Sequence, residues 1–197
     1  WNNPGTIGNL TPGGKILASL FQSVTLRTAG FASFNQDALT EASKVLSDLL
    51  MFVGGSSGST AGGVKTVTMG LVVLSAVNTM RGKRQVTVFG RSISQEDISN
   101  AVSVALLVMG LSLLGAAVIT VCDGCSFMNA IYETISALCT VGLTTGITPT
   151  LCTASKLILI VFMFFGRVGI MTIGVGFMMG DRAKERVQYA QTKVMIG

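Results

Sequence analysis

The chain of 197 residues is 49 % apolar and only 12 % charged, with a net charge of +5 and no histidine. An ordinary soluble domain carries about twice that share of charge, so this composition, with a mean hydropathy of +0.65, argues against a soluble protein. A basic excess can also serve nucleic acid, but here the charges sit directly behind apolar stretches, which argues for a membrane protein without a nucleic-acid partner.

Residues 14–26, GKILASLFQSVTL, form a first apolar segment. It is about 20 Å long as a helix, too short to cross roughly 30 Å of hydrocarbon. Such a length suits a re-entrant or buried helix, which is tolerated where protein or water covers its backbone. TAGF follows at 28–31. Residues 45–80 are apolar at both ends but are interrupted at 54–66 by GGSSGSTAGGVKT. Glycine costs about 1 kcal/mol against alanine in a helix, so five glycines in this stretch predict an unwound segment. Hydroxyls of Ser56, Ser57, Ser59 and Thr60 suit freed backbone groups or water.

A basic cluster comes next, Arg81, Lys83, Arg84 and Arg91. Residues 98–121, ISNAVSVALLVMGLSLLGAAVITV, carry no charge and are long enough to span a bilayer with some tilt. Residues 127–139, FMNAIYETISALC, are a second short segment, followed by TVGL at 140–143. Residues 157–180 are again of spanning length, with one charge at Arg167. A charge at midmembrane costs about 2.5–3.5 kcal/mol, so Arg167 should face a pore or the glycine-rich loop. A purely structural arginine bracing helices is the alternative. A second basic cluster, Arg182, Lys184, Arg186 and Lys193, closes the chain; both clusters carry the positive-inside signature of cytoplasmic segments. No secretory signal is visible. The chain starts at Trp1 rather than methionine, and a longer polypeptide is expected.

The two short segments match. FQSVT at 21–25 corresponds to YETIS at 132–136, and RTAGF at 27–31 to CTVGL at 139–143. The offset is 111 residues from Phe21 to Tyr132 and 112 from Gly30 to Gly142. The order of short helix, T-x-G turn, polar loop and long helix recurs with it, the mark of an internal repeat. FVGG at 52–55 aligns with FFGR at 164–167, and GGVKT at 62–66 with VGIMT at 168–172. The first copy holds about six extra residues around SSGSTA, which reads as an insertion into a spanning helix.

Glycine in third place in Thr28-Ala29-Gly30-Phe31 and in Thr140-Val141-Gly142-Leu143 permits positive φ. Successive carbonyls can then point toward one axis and replace the hydration shell of a monovalent cation. The short helices would aim their partially negative C-terminal ends at the same ion. An ordinary glycine turn is the alternative for either copy alone. Lys44 and Asp48, four apart, read as a surface pair near the external end, with a cation-attracting role for Asp48 as the alternative. Glu133, which corresponds to Gln22, reads as a hydrogen-bonding or charge-balancing group behind the turn.

Other chemistries fit less well. Cys122 and Cys125 form a lone CxxC; Cys139 and Cys152 supply no second pair and histidine is absent, which argues against zinc. No βαβ pattern supports a thioredoxin-like site. Gly58 and Gly63 have Walker spacing, but Val64 separates Gly63 from Lys65, and no strand of a soluble domain precedes them. A membrane-embedded enzyme or assembly protein is the second hypothesis. Ser57, Ser59 and Lys65 are its only near candidates for a Ser/Lys dyad, so no enzyme is expected.

TAGF, TVGLTTGITP, GGSSGSTAGGVKT and FFGRVGIMT, in that order, resemble the Ktr/Trk/HKT superfamily of potassium transporters, most closely its bacterial KtrB branch. The resemblance implies an all-α integral membrane protein of membrane–pore–membrane repeats, with re-entrant pore helices and filter loops. Residues 1–80 would be a third repeat without its first membrane helix, 81–97 a cytoplasmic basic loop, 98–180 a fourth repeat and 181–197 a cytoplasmic tail. It implies a selectivity filter for K⁺ at residues 28–31 and 140–143. It implies a gate loop of Gly54, Gly55, Ser56, Ser57, Gly58, Ser59, Thr60, Ala61, Gly62 and Gly63, with Lys65 and Arg167 beside it; Lys65 would snorkel to the cytoplasmic side. Sodium stimulation, no organic cofactor, a homodimer with a second copy, a KtrA-like cytoplasmic nucleotide-binding ring, membrane lipid around the chain and a bacterial plasma-membrane location are implied as well.

Overall fold

The computed structural model describes residues 3–56, 58–59, 61–82, 86–88 and 91–168. Ser57 and Thr60 of the expected gate lie outside the described residues, as do Lys83 and Arg84, the end of the last apolar stretch from residue 169, and the tail with Arg182, Lys184, Arg186 and Lys193. The described part is mainly helical: α1 (Pro12–Thr25), α2 (Glu41–Phe52), α3 (Thr66–Met80), α4 (Gln95–Asp123), α5 (Phe127–Leu138) and α6 (Thr153–Val168). Short 3₁₀ turns lie at Gln36–Ala38 and Thr148–Thr150. The basic segment is more ordered than a plain loop. It holds an antiparallel hairpin of β1 (Thr87–Val88) and β2 (Arg91–Ser92), and α4 already begins within it, at Gln95.

The helix ends follow from local chemistry. Thr11 caps α1 by accepting the Gly14 N–H, with Pro12 at the first helical position, where its missing N–H costs nothing. Ser94 caps α4 through the Asp97 N–H, with Glu96 and Asp97 in the first turn, where acidic groups complement the helix dipole. Gly124 ends α4 in the left-handed conformation, φ 62°, a favoured glycine role. The N-terminus of α6 is capped from another helix. Asp123 accepts the Cys152 N–H at 2.6 Å and the Ser155 hydroxyl at 2.5 Å.

The 29 residues of α4 extend about 43 Å, and α4 is long and apolar enough to cross a membrane. It buries Ile98, Ala101, Ala105, Val108, Ser112, Gly115, Ala116 and Ile119, a seam at three- and four-residue spacing. Its other face shows Leu106, Leu107, Met109, Leu113, Leu114, Val118 and Val121. A helix apolar on both faces suits lipid on one of them. The seam is rich in small residues, which lets helices approach closely. At Gly115 an added Cβ would strike the Phe162 ring and lie 3.2 Å from Thr134 Cγ2, so α4, α5 and α6 meet there.

The short helix α5 is the centre of the core. Ala130, Tyr132, Leu138 and the following Cys139 are fully buried, with α2, α4 and α6 packed around α5.

Candidate functional site

The site is built from two T-x-G turns and the glycine-rich loop. Both turns directly follow a short helix, α1 and α5. Thr28 (φ 67°) and Thr140 (φ 54°) are the non-glycine residues with left-handed backbone among the described residues. For a β-branched residue that conformation is an outlier, and both copies adopt it at the same position. Gly30 (φ 76°) and Gly142 (φ 90°) are left-handed too.

A hydroxyl in the matching helix position bonds the fourth residue of each turn. Thr25 Oγ1 donates to the Phe31 carbonyl at 2.7 Å and accepts the Phe31 N–H at 2.8 Å. Ser136 Oγ donates to the Leu143 carbonyl at 2.5 Å. The Thr25 carbonyl accepts the Ala29 and Gly30 N–H groups, and the Ser136 carbonyl accepts the Val141 N–H. The fourth carbonyl of each turn is thus held by its own helix. Among the described residues, the carbonyls of Thr28, Ala29, Gly30, Thr140, Val141 and Gly142 accept no hydrogen bond. Oxygens left unpaired in this way are available to a cation.

The two turns touch. A Cβ on Gly30 would strike the Val141 carbonyl oxygen and lie 3.5 Å from Gly142 Cα. Their opposed backbones therefore share one narrow space, and only a residue without Cβ permits the approach.

Behind the second turn, Glu133 is buried. Its Oε1 accepts the Thr144 hydroxyl at 2.5 Å, the Thr145 N–H at 2.9 Å and the Thr145 hydroxyl at 3.3 Å; its Oε2 accepts the Thr148 hydroxyl at 2.9 Å. Behind the first turn, Gln22 Nε2 donates to Gln36 Oε1 at 2.7 Å. Behind each turn a helix residue thus grips the loop beyond it. Gln36 and Thr148 are 112 positions apart, as Gly30 and Gly142 are.

The stretch from Val53 to Lys65 separates α2 from α3 as an unwound loop. A parallel bridge pairs Val53 with Val64, and the Gly54 N–H donates to the Val64 carbonyl at 2.9 Å. The loop rests on the second turn: the Gly62 N–H donates to Thr140 Oγ1 at 3.1 Å. An added Cβ at Gly62 would sit 2.7 Å from the Cys139 carbonyl oxygen, and one at Gly63 3.1 Å from Cys139 Sγ. Gly54 leaves as little room against the Gly62 carbonyl. The glycines therefore serve close packing as well as unwinding. Ser56 and Ser59 stabilise the loop locally, Ser59 Oγ donating to the Ser56 carbonyl at 2.8 Å. Gly58 (φ 84°) lies in that turn, and the Gly55 carbonyl accepts the Thr66 N–H at 3.1 Å. Ala61, Gly62, Gly63, Ser59 and Lys65 line a cavity of about 370 Å³ together with Gly166 and Arg167. Arg167 thus lies beside the loop.

Two expectations need correction. Lys44 and Asp48 are not a surface pair: both are buried. Lys44 Nζ reaches Asn129 Oδ1 at 2.8 Å and Asp37 Oδ1 at 3.5 Å, because tertiary partners on α5 and the Gln36–Ala38 turn outcompete a contact within the helix. Lys65 does not extend outward. Its Nζ donates to the carbonyls of Ser59 (2.9 Å) and Ala61 (2.5 Å), satisfying backbone freed by the unwinding. Ser59 Oγ is likewise directed to Ser56 rather than to Lys65.

The cysteines are free thiols: Cys122 is exposed, Cys125 and Cys152 are half-buried and Cys139 is buried. Burial pushes the Cys125 thiol up from its ordinary range, with the charges of Asp123 and Glu133 adding to it. No group of metal-binding side chains occurs among the described residues. Sequence reasoning missed Tyr132 and Gln36 as parts of the site. Thr25 and Ser136 carried a signal, since they close the matched FQSVT and YETIS segments.

Left-handed turns behind short helices, beside one helix long and apolar enough to cross a membrane, define a mainly helical chain of membrane-protein character. The chain belongs to the TrkH family of cation transport proteins, whose model matches residues 3–185. It is 39 % identical over its full length to the Ktr system potassium uptake protein B of Bacillus subtilis, covering 44 % of that protein. It is 35 % identical over 93 % of its length to the potassium/sodium uptake protein NtpJ of Enterococcus hirae, covering 42 % of it. With the Ktr system potassium uptake protein B of Vibrio alginolyticus it shares 34 % identity over its full length and 43 % of that protein. The chain thus spans less than half the length of these relatives.

Proposed function

We propose that this chain forms part of a potassium uptake pathway across the bacterial plasma membrane, in a multi-pass protein of membrane–pore–membrane repeats with α1 and α5 as re-entrant pore helices. Residues 28–31 and 140–143 contribute carbonyls to a selectivity filter for K⁺. The loop from Gly54 to Gly63, with Lys65 and Arg167, gates the path beneath it. The observation that carries this reading is the pairing of two left-handed T-x-G turns in contact, with three carbonyls in each accepting no hydrogen bond among the described residues. Two turns do not encircle an ion as four filter loops do, so further oxygens come from outside this chain. Transport needs no covalent chemistry and no organic cofactor.

Names of relatives extend the reading. Two are potassium uptake proteins of Ktr systems and one is a potassium/sodium uptake protein, which supports K⁺ as cargo and Na⁺ as a second ion. A second copy of the membrane subunit, surrounding lipid and a KtrA-like cytoplasmic nucleotide-binding ring are the proposed partners. The basic segment with Arg81 and Arg91 would face the ring.

The test is K⁺ or Rb⁺ uptake in cells lacking other uptake systems. Expression of the complete protein that contains this chain should restore uptake, and Gly30→Ser or Gly142→Ser should abolish it, because each adds a Cβ at positive φ. Uptake unaltered in both variants would sink the filter assignment.

A further inference from the structure

The two turns are held differently. Behind the second, Glu133 bonds Thr144, Thr145 and Thr148, all within its own copy. Behind the first, Gln22 bonds Gln36, and Gln36 Oε1 also accepts the Tyr132 hydroxyl at 3.2 Å. Tyr132 belongs to α5, the helix of the other copy. Asn129 lies one helical turn earlier on α5 and donates to Asp37 Oδ1 at 3.4 Å, while Lys44 Nζ bonds both Asn129 and Asp37. One face of α5 therefore grips two consecutive residues, Gln36 and Asp37, of the first copy's loop. Tyr132, Gln36 and Lys44 are buried, so the Tyr132–Gln36 bond is shielded from competing water, while Asp37 at the edge of the network is exposed.

From this we infer that Tyr132 and Gln36 are positioning residues for ion selectivity. Their bond fixes the first turn against the second. Gly30 and Gly142 are in contact, so a slip of either loop alters the spacing of opposed carbonyls. Carbonyl spacing and number distinguish K⁺ from Na⁺. The position corresponding to Tyr132 in the first copy is Phe21. Phenylalanine differs from tyrosine by the hydroxyl alone, so Tyr132→Phe removes the bond to Gln36 and keeps the buried ring.

The inference rests on the transport reading above, and one experiment separates the two. Uptake of K⁺ and Na⁺ is measured in cells lacking other uptake systems, for the native protein, Tyr132→Phe, Gln36→Met and the double variant. The expected result is a three- to tenfold loss of K⁺ preference over Na⁺ in Tyr132→Phe, the factor of about one neutral hydrogen bond. Protein level should stay within about twofold, and the ion ratio is read from the uptake that each variant retains. Gln36→Met should lose at least as much, and the double variant no more than Gln36→Met alone. If Tyr132→Phe is not produced, Gln36→Met decides by the same ratio. Native uptake with unchanged selectivity in the variants overturns the brace alone; a native protein that moves no K⁺ overturns both.

Discussion

Gly62→Ala is the sharpest test of the proposed gate. Its Cβ would lie 2.7 Å from the Cys139 carbonyl oxygen and closer still to Thr140 Oγ1. Ordinary contact begins at 3.4 Å, so the loop must retreat by at least 3.4 − 2.7 = 0.7 Å. The Gly62 N–H to Thr140 Oγ1 bond, now 3.1 Å, then passes beyond bonding distance. Losing one such bond costs about 0.5–1.5 kcal/mol, which releases the seated loop by roughly two- to tenfold. Basal Rb⁺ uptake at matched protein level should rise by that factor, with K⁺ over Na⁺ preference changing less than the rate, because the second turn keeps its own bonds to α5. Gly70→Ala is the control: nothing lies within 4 Å of its added Cβ, and it should leave uptake unchanged. Unaltered uptake in Gly62→Ala, or altered selectivity with unaltered rate, would refute the assignment of this contact to gating.

Cys139 is buried beneath Gly62 and Gly63, so with the other three cysteines replaced, a cytoplasmic thiol reagent should label it slowly in the native protein and several-fold faster in Gly62→Ala. Equal rates would show that the loop does not cover it. Glu133→Ala leaves the Thr145 N–H and the hydroxyls of Thr144, Thr145 and Thr148 without their acceptor, and should cost about 3 kcal/mol, read as a fall of several degrees in melting temperature in detergent. Glu133→Gln, which keeps an acceptor, should lose less. Asp123→Ala removes the cap of α6 and should cost about 1 kcal/mol in the same melting assay, without changing ion preference.

Much of the fold was legible because its signals are local. Apolar length and absence of charge placed α4, and the short matched segments placed α1 and α5. Glycine density predicted the break between α2 and α3, since helix propensity is a property of neighbours in sequence.

What sequence could not supply was who touches whom across the chain. Lys44 and Asp48 have ideal spacing for a helix pair, yet both are buried, and Lys44 turns to Asn129, 85 residues away. Nothing local distinguishes Gln36 from an ordinary polar loop residue, or the Tyr132 hydroxyl from an incidental one. Their meaning comes from the packing of α5 against the first copy. The sequence by itself determined which segments are short, long or unwound, because those follow from composition and propensity along the chain. Only the tertiary structure decided that Gly30 meets Gly142, that Gly62 rests on Thr140 and that Tyr132 reaches Gln36, because such contacts depend on how distant backbones approach in space.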